Sequence, residues 1–299
     1  MAEVRAERRA APKPARIPSG DRPMSSSGEG RTLTLCADDF GLSSGITRGI
    51  AMLARAQRLS AISCITNTPH WREAAPLLRE LPPTLTVGLH FNLTEGKPLS
   101  RELARLWPTL PSLPKLLLQS HLHRLPVAAL RVEWQAQVDA FVQATGRAPQ
   151  MVDGHQHVHH LPVLRQVVLD GIAPMSPRPA VRSTANLLGP GFGFKRFVIE
   201  RTGGRALKRE LVRRGLRHNA SLLGAYDFVV YDYRALMRQW LAQLPREGGL
   251  LFCHPAEVAD AGDAIGDARL REFAYFEGDA FLSDLAEAKV TLGASWVRA

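Results

Sequence analysis

Four short stretches hold six of the ten histidines in this chain and a pair of adjacent aspartates, residue types that could do acid–base or metal chemistry. ADDFGLS (37–43) carries the adjacent carboxylates Asp38 and Asp39, and GLHFNLTEGKPL (88–99) carries His90. DGHQHVHH (153–160) carries Asp153, His155, His157 and His159, and LLFCHPAE (250–257) carries His254. Neighbouring residues at the end of a strand point to opposite sides, so Asp38 and Asp39 are expected to do different jobs. One would ligate a cation and the other would handle a proton. In the histidine-rich stretch the polar residues recur at every second position. An extended segment would therefore place all four on one face, where a metal would satisfy them. One aspartate with two histidines makes an open metal site that keeps positions for water. An open site beside a second carboxylate implies hydrolysis, since the metal acidifies bound water and polarises a scissile carbonyl. His254, held where Pro255 stops its strand, could serve as general acid or steady a developing oxyanion.

Each stretch follows an apolar run of strand character. TLTLCA (32–37), AISCITN (61–67), LTVGLHF (85–91), QMVDGH (150–155) and GLLFCH (249–254) read as strands, and AVRST (180–184), FVVYD (228–232) and KVTLGA (289–294) extend the series. Helical spacing falls between them: Ile46, Ile50 and Leu53 behind a Ser43 or Ser44 cap; Trp71, Ala75 and Leu78; Leu130, Trp134, Val138, Phe141 and Val142 up to Gly146. Further helices are expected after Pro162, over Leu236 to Leu244, and around Phe281 to Leu285. The stretch from Pro98 to Pro126 is too long for an ordinary connection. Repeated β–α alternation implies a parallel sheet flanked by helices. Because the polar sets end several separate strands, a (β/α) barrel, TIM-like but irregular or with fewer than eight strands, brings them to one mouth better than an open sheet does.

Composition narrows the class. Among the 299 residues 45% are hydrophobic and 22% charged, which is ordinary for a globular protein. No apolar run reaches the roughly 18 residues of a membrane span. The net charge of +10 permits a polyanionic or membrane-surface partner, but no nucleic-acid reading element is recognisable, so no nucleic acid is expected. Cys36, Cys64 and Cys253 form no CxxC and sit in strand-like runs, which reads as reduced core thiols and a cytoplasmic setting. Residues 1–30 hold almost no large apolar side chains and are expected to be a disordered basic extension. Residues 31–299 are expected to form one barrel domain. The basic segment 189–218 contains an amphipathic pattern around Leu207 and Leu211 that could face anionic lipid or a lipid-linked sugar.

Taken together and in this order, ADDFGLS, GLHFNLTEGKPL, DGHQHVH and FCHPAE resemble the YdjC-like carbohydrate deacetylases. That group includes chitooligosaccharide deacetylase and the hopanoid-biosynthesis-associated deacetylases. The resemblance runs from about Arg31 to the C-terminus and is weakest between Met175 and Asp227. It implies a (β/α) barrel, a single divalent metal ion (Mg2+ or Zn2+), an N-acetylated sugar or glycoconjugate as substrate, and a homodimer. It further implies Asp39, His90 and His155 as metal ligands, Asp38 as general base, and His254 as the group that protonates the leaving amine or steadies the tetrahedral intermediate. Asp153 would orient a ligating histidine and His157 would lie beside the site or the substrate. Two other readings remain open: the same metal acting on a phosphoester or non-sugar amide, and a non-catalytic module that binds glycan or metal.

Overall fold

The computed structural model describes residues 30–298; the extension expected over residues 1–30 lies, but for Gly30, outside the described residues. Among the described residues eight strands form one parallel sheet: β1 (Arg31–Phe40), β2 (Ala61–Cys64), β3 (Thr86–Phe91), β4 (Met151–Gly154), β5 (Ala180–Val181), β6 (Leu222–Leu223), β7 (Gly249–Cys253) and β8 (Val290–Leu292). The order is β5-β4-β3-β2-β1-β7-β6, and β8 pairs only with the start of β1. Single parallel bridges, Val181 to His218 and Leu187 to Leu222, link the two edges. The result is an irregular barrel of seven strands with helices outside, the architecture expected from the alternation. Its strands are buried throughout most of their length, as parallel strands covered on both faces must be.

Two apolar layers hold it together. The larger lies between the strands and the outer helices, and includes Leu33, Leu35, Ile62, Leu89, Val152 and Leu251 against Ile50, Trp134, Phe141, Val168 and Trp240. The smaller fills the barrel, with Cys36, Ala61, Met151, Ala180, Leu222, Leu250 and Phe252 from six strands. The strand period of two then does the positioning. Two residues beyond the inward-facing Cys36, Ala61, Met151 and Ala180 come Asp38, Ser63, Asp153 and Arg182. His90 is paired with Asp153 in register and shares its face. Apolar filling at one level of the barrel is thus followed by polar side chains at the level above it.

The helices follow their signals. Ser43 caps the helix Ser44–Arg55 by accepting from the Ile46 N–H at 3.4 Å. The helix Val127–Thr145 buries Leu130, Trp134, Val138 and Phe141 and ends at Gly146, whose φ of 71° suits the left-handed residue that stops a helix. The stretch from Pro98 to Pro126 contains two helices, Arg101–Leu106 and Leu113–His121.

Two expectations fail. Residues 228–232 are not a strand; Val229 and Tyr231 are 76% and 90% exposed, and the strand beside β7 is instead the two-residue β6. β-branched residues alone do not make a strand when no neighbour offers a ladder. The segment 155–160 is not extended either. Gln156 and His157 take left-handed angles (φ 51° and 62°), so the chain coils tightly after β4 and the alternate histidines do not share a face. The helix Gly266–Glu277 has no counterpart in the sequence expectations.

Candidate active site and metal centre

The site lies where β1, β3 and β4 end. Asp39 would point away from Asp38 in a regular strand. The β1–β2 register shifts between Ala37 and Phe40, and Asp39 sits at φ 71°, so the irregularity turns its carboxylate toward the mouth. The two aspartates therefore converge yet keep separate partners, and the expectation of opposite sides gives way to a bulge.

Asp39 meets both histidines. Its Oδ1 lies 3.0 Å from His155 Nδ1 and 3.5 Å from His90 Nε2. One ligand atom from each of the three residues lies within 4.8 Å of the other two. Spacings near 3 Å suit donors that each sit about 2.0–2.2 Å from a common cation. The other carboxylate oxygen, Oδ2, accepts from Arg269 Nη2 at 2.8 Å. Burial alone would push the Asp39 carboxyl up, but Arg269, His155 and His90 outweigh it and hold the group well below the ordinary carboxylate range. Asp39 is thus an anion before any cation arrives.

Deeper in the barrel, His90 is locked by a second layer of contacts. Its Nδ1 is 2.6 Å from Asp153 Oδ1 and 3.1 Å from the Ser63 hydroxyl, which itself donates to the same carboxylate oxygen at 2.5 Å. An imidazole that donates from Nδ1 to a carboxylate presents a basic Nε2 to its other side, here toward Asp39. Burial disfavours the charged ring, but Asp153 and Asp38 prevail and raise the His90 pKa to about 10. The Asp153 carboxyl is held below its usual range by Arg182 and His90 against the upward push of burial.

Asp38 takes a different partner. Both of its oxygens accept from the Arg182 guanidinium at 2.6 Å, and Arg182 Nη2 also lies 2.6 Å from Asp153 Oδ2. One fully buried guanidinium therefore bridges the two aspartates and sits 3.3 Å from the Cys36 sulfur. Cys36, Asp38 and Asp153 have metal-like spacing, but Arg182 already supplies the cation there. Burial, the largest cause, also pushes the Cys36 thiol well up, so it stays protonated.

The remaining predicted residues separate. His254 sits at the end of β7 with its ring 5.4 Å from Phe228 and 5.6 Å from Phe252. Its backbone N–H donates to Glu272, and its carbonyl accepts from Arg269 Nη1 at 3.3 Å. Burial lowers its pKa to about 4 despite the Asp39 and Asp38 charges, so the ring is neutral at pH 7. His157 packs edge-on against Phe252 at 5.2 Å, and burial likewise holds it well below the ordinary histidine value. His159 is structural: its Nε2 donates to the Arg182 carbonyl at 2.9 Å.

Three residues that sequence reasoning passed over complete the arrangement. Arg182 ties Asp38 to Asp153, and Arg269 ties Asp39 to the His254 backbone and to Asp263 at 2.7 Å. Glu272 accepts from both His254 N–H and the Tyr226 hydroxyl; burial raises its pKa to about 7. Arg182 carried a usable signal, a lone arginine within an apolar strand run, since such a residue is buried only when paired. Arg269 and Glu272 lie on the unanticipated helix and carried none.

Comparison with known proteins agrees with this architecture. A structure from Enterococcus faecalis V583, named for cellobiose-phosphate cleavage, superposes with a TM-score of 0.67 at 21% identity, covering 89% of this chain and 98% of that one. Among curated sequences, the chitooligosaccharide deacetylase of Proteus mirabilis is 38% identical over 134 residues, 42% of this chain and 49% of the relative. The carbohydrate deacetylase of Danio rerio is 32% identical over 173 residues, 56% and 53% of the two chains. The chain thus spans about half the length of the curated relatives it matches. The family model described as YdjC-like protein matches residues 32–287, from β1 to the last helix, and the chain belongs to that family.

Proposed function

We propose that this protein is a divalent-metal-dependent hydrolase that removes an N-acetyl group from an amino sugar or a glycoconjugate. The observation that carries the reading is the joint approach of Asp39, His90 and His155, with the Asp38 carboxylate and the His254 ring at the same end of the barrel. The names of the relatives, chitooligosaccharide deacetylase and carbohydrate deacetylase, suggest the substrate class.

Asp39, His90 and His155 would hold the ion, and the donor set of one carboxylate and two imidazoles fits zinc-like ions while tolerating magnesium. A bound ion would supply Lewis acidity and make water a better nucleophile. Asp38, gripped on both oxygens by the Arg182 fork, takes the proton from the attacking water. Arg182 fixes the carboxylate in one plane and shares its own charge with Asp153, so that Asp38 keeps lone pairs for that proton. His254, neutral at rest, has one N–H to donate to the developing oxyanion. To protonate the leaving amine it must first gain a proton, which makes oxyanion stabilisation the better match for a ring whose pKa lies near 4. Asp153 and Ser63 orient His90, and Arg269 orients Asp39.

The test is acetate release from a panel of N-acetylated sugars and glycoconjugates, with metal stripped and restored. Acetate release that requires added metal and is lost in Asp38→Asn, while that variant still binds metal, supports the reading. Phosphoester cleavage without acetate release, or tight sugar binding with no turnover, would replace it.

A further inference from the structure

Most large apolar side chains among the described residues are buried, but a neighbourhood beside the site holds Phe194, Val229 and Tyr231, which are more exposed than any other large apolar side chain described. On the helix Gly193–Ile199, Phe194 and Phe197 are 80% and 53% exposed, one turn apart, with Val198 also exposed. The segment after Tyr226 adds the exposed Val229 and Tyr231. The two segments are joined. Lys195 Nζ donates to the Tyr226 carbonyl and lies 4.5 Å from the centre of the Phe228 ring. Phe228 in turn packs against His254. The apolar cluster therefore borders the mouth on the His254 side.

Cations are set among these side chains. Arg201 lies 5.6 Å over the Phe197 ring, and Arg196 donates to the carbonyls of Pro190 and Gly191. Among the described residues none of Lys195, Arg196 and Arg201 has a carboxylate within 4 Å. Asp227 is the acidic group beside Lys195. Within 192–201 and 227–231 Lys195, Arg196 and Arg201 stand against Glu200 and Asp227, and the adjoining helix Arg205–Arg213 adds Arg205, Lys208, Arg209 and Arg213 against Glu210. Exposed aromatic and aliphatic side chains interleaved with cations are what a protein needs at a lipid–water interface: the rings enter the headgroup region and the cations meet anionic headgroups.

We propose that residues 192–201 and 227–231 form a docking surface for an anionic lipid bilayer, placed so that the mouth opens at the membrane plane. The charge decides among possible occupants. A second copy meeting this face across a two-fold axis would bring like cationic clusters together, which costs energy. A neutral glycan would stack on Phe194 or Tyr231 but gains nothing from Val198, Val229 or the cations. The proposal does not depend on which reaction the site performs.

Sedimentation of the full-length chain with sucrose-loaded vesicles tests it, using phosphatidylcholine alone and phosphatidylcholine with phosphatidylglycerol. The expected result is pelleting with the anionic vesicles that weakens as salt rises. Phe194→Ser/Phe197→Ser and Val229→Ser/Tyr231→Ser should each lower the partition coefficient at least about tenfold, since each removes buried-in-lipid apolar area. Their thermal melting should be unchanged, because these side chains project from the fold. Failure to pellet with anionic vesicles overturns the proposal. So does pelleting that both double variants retain, which would place the contact elsewhere, for instance in the basic N-terminal residues. Self-association lost in the variants, without vesicle binding, would make this face a contact between copies and equally overturn it.

Discussion

Replacing Asp153 with asparagine probes the layer beneath the proposed metal ligands without touching them. The substitution is nearly isosteric, and it removes the charge that accepts from His90 Nδ1 at 2.6 Å and from Ser63 at 2.5 Å and that faces Arg182. Two effects on cation binding follow, with opposite signs. Loss of the orienting carboxylate makes His90 a weaker and less fixed ligand, which typically costs about 10–100-fold in metal affinity, or about 1.4–2.8 kcal/mol. Against this, Asp153 is the largest cause raising the His90 pKa, to about 10, so in the parent a proton competes with an added metal at neutral pH. In Asp153→Asn that competition falls. The two terms separate by pH. Below pH 10 the parent's affinity should rise with pH as His90 releases its proton, by up to about tenfold per unit for one displaced proton. The variant should level off at lower pH. Isothermal titration of metal-stripped protein at several values between pH 6 and 8 therefore should show a deficit that widens as pH increases. Asp170→Asn, which alters a surface ion pair with Arg131, serves as control. An affinity for Asp153→Asn equal to the parent's at every pH would refute the orienting role assigned to Asp153, and a deficit independent of pH would refute its part in raising the His90 pKa.

Further perturbations test other parts of the account. Arg182→Met should strip the buried Asp38 of its cationic partner and leave Asp153 with His90 and Ser63 alone, and cost about 3–5 kcal/mol of stability, read by chemical denaturation; Arg182→Lys, which keeps the charge but not the fork, should cost less and still bind metal while losing turnover. Gly88→Ala would set a Cβ 2.3 Å from Met151 Cγ and 2.7 Å from the Met151 carbonyl oxygen, so it should force β3 and β4 apart and lower the melting temperature by the equivalent of about 1–3 kcal/mol. For the metal-free protein, stability should fall as pH drops from about 6.5 toward 4. His159 and His254, with pKa near 4, and His157 and His160, also lowered by burial, resist protons that the unfolded chain accepts. Glu272, raised to about 7, works the other way, and His90 is protonated in both states in this window, so the four histidines set the sign. A melting temperature that rises on acidification across that range would contradict it.

The sequence made much of this frame legible because the signals were local. Apolar runs marked β1, β3, β4 and β7, Ser43 and Gly146 marked helix ends, and the polar groups that close the strands pointed to one barrel mouth. What escaped depended on tertiary context. Nothing before Asp39 announces the bulge that turns its side chain inward. The alternation in DGHQHVHH looked like one face because an extended backbone was assumed; left-handed Gln156 and His157 coil the chain instead, sending His155 to Asp39 and His159 to the Arg182 carbonyl. FVVYD has strand composition yet lies exposed, whereas β6 is two leucines with no pattern to read. Arg269 reaches Asp39 across 230 positions of sequence, a contact that no local pattern encodes.

The central claim is that Asp39, His90 and His155 hold one divalent cation between them. Metal content and affinity should be measured on the stripped and reloaded full-length protein, beside Asp39→Ala, His90→Ala and His155→Ala, with folding verified for each. The account predicts one ion per chain in the parent and a large loss of affinity in each of the three variants. Stoichiometric binding that survives all three substitutions, or a parent that binds no divalent ion, would contradict it.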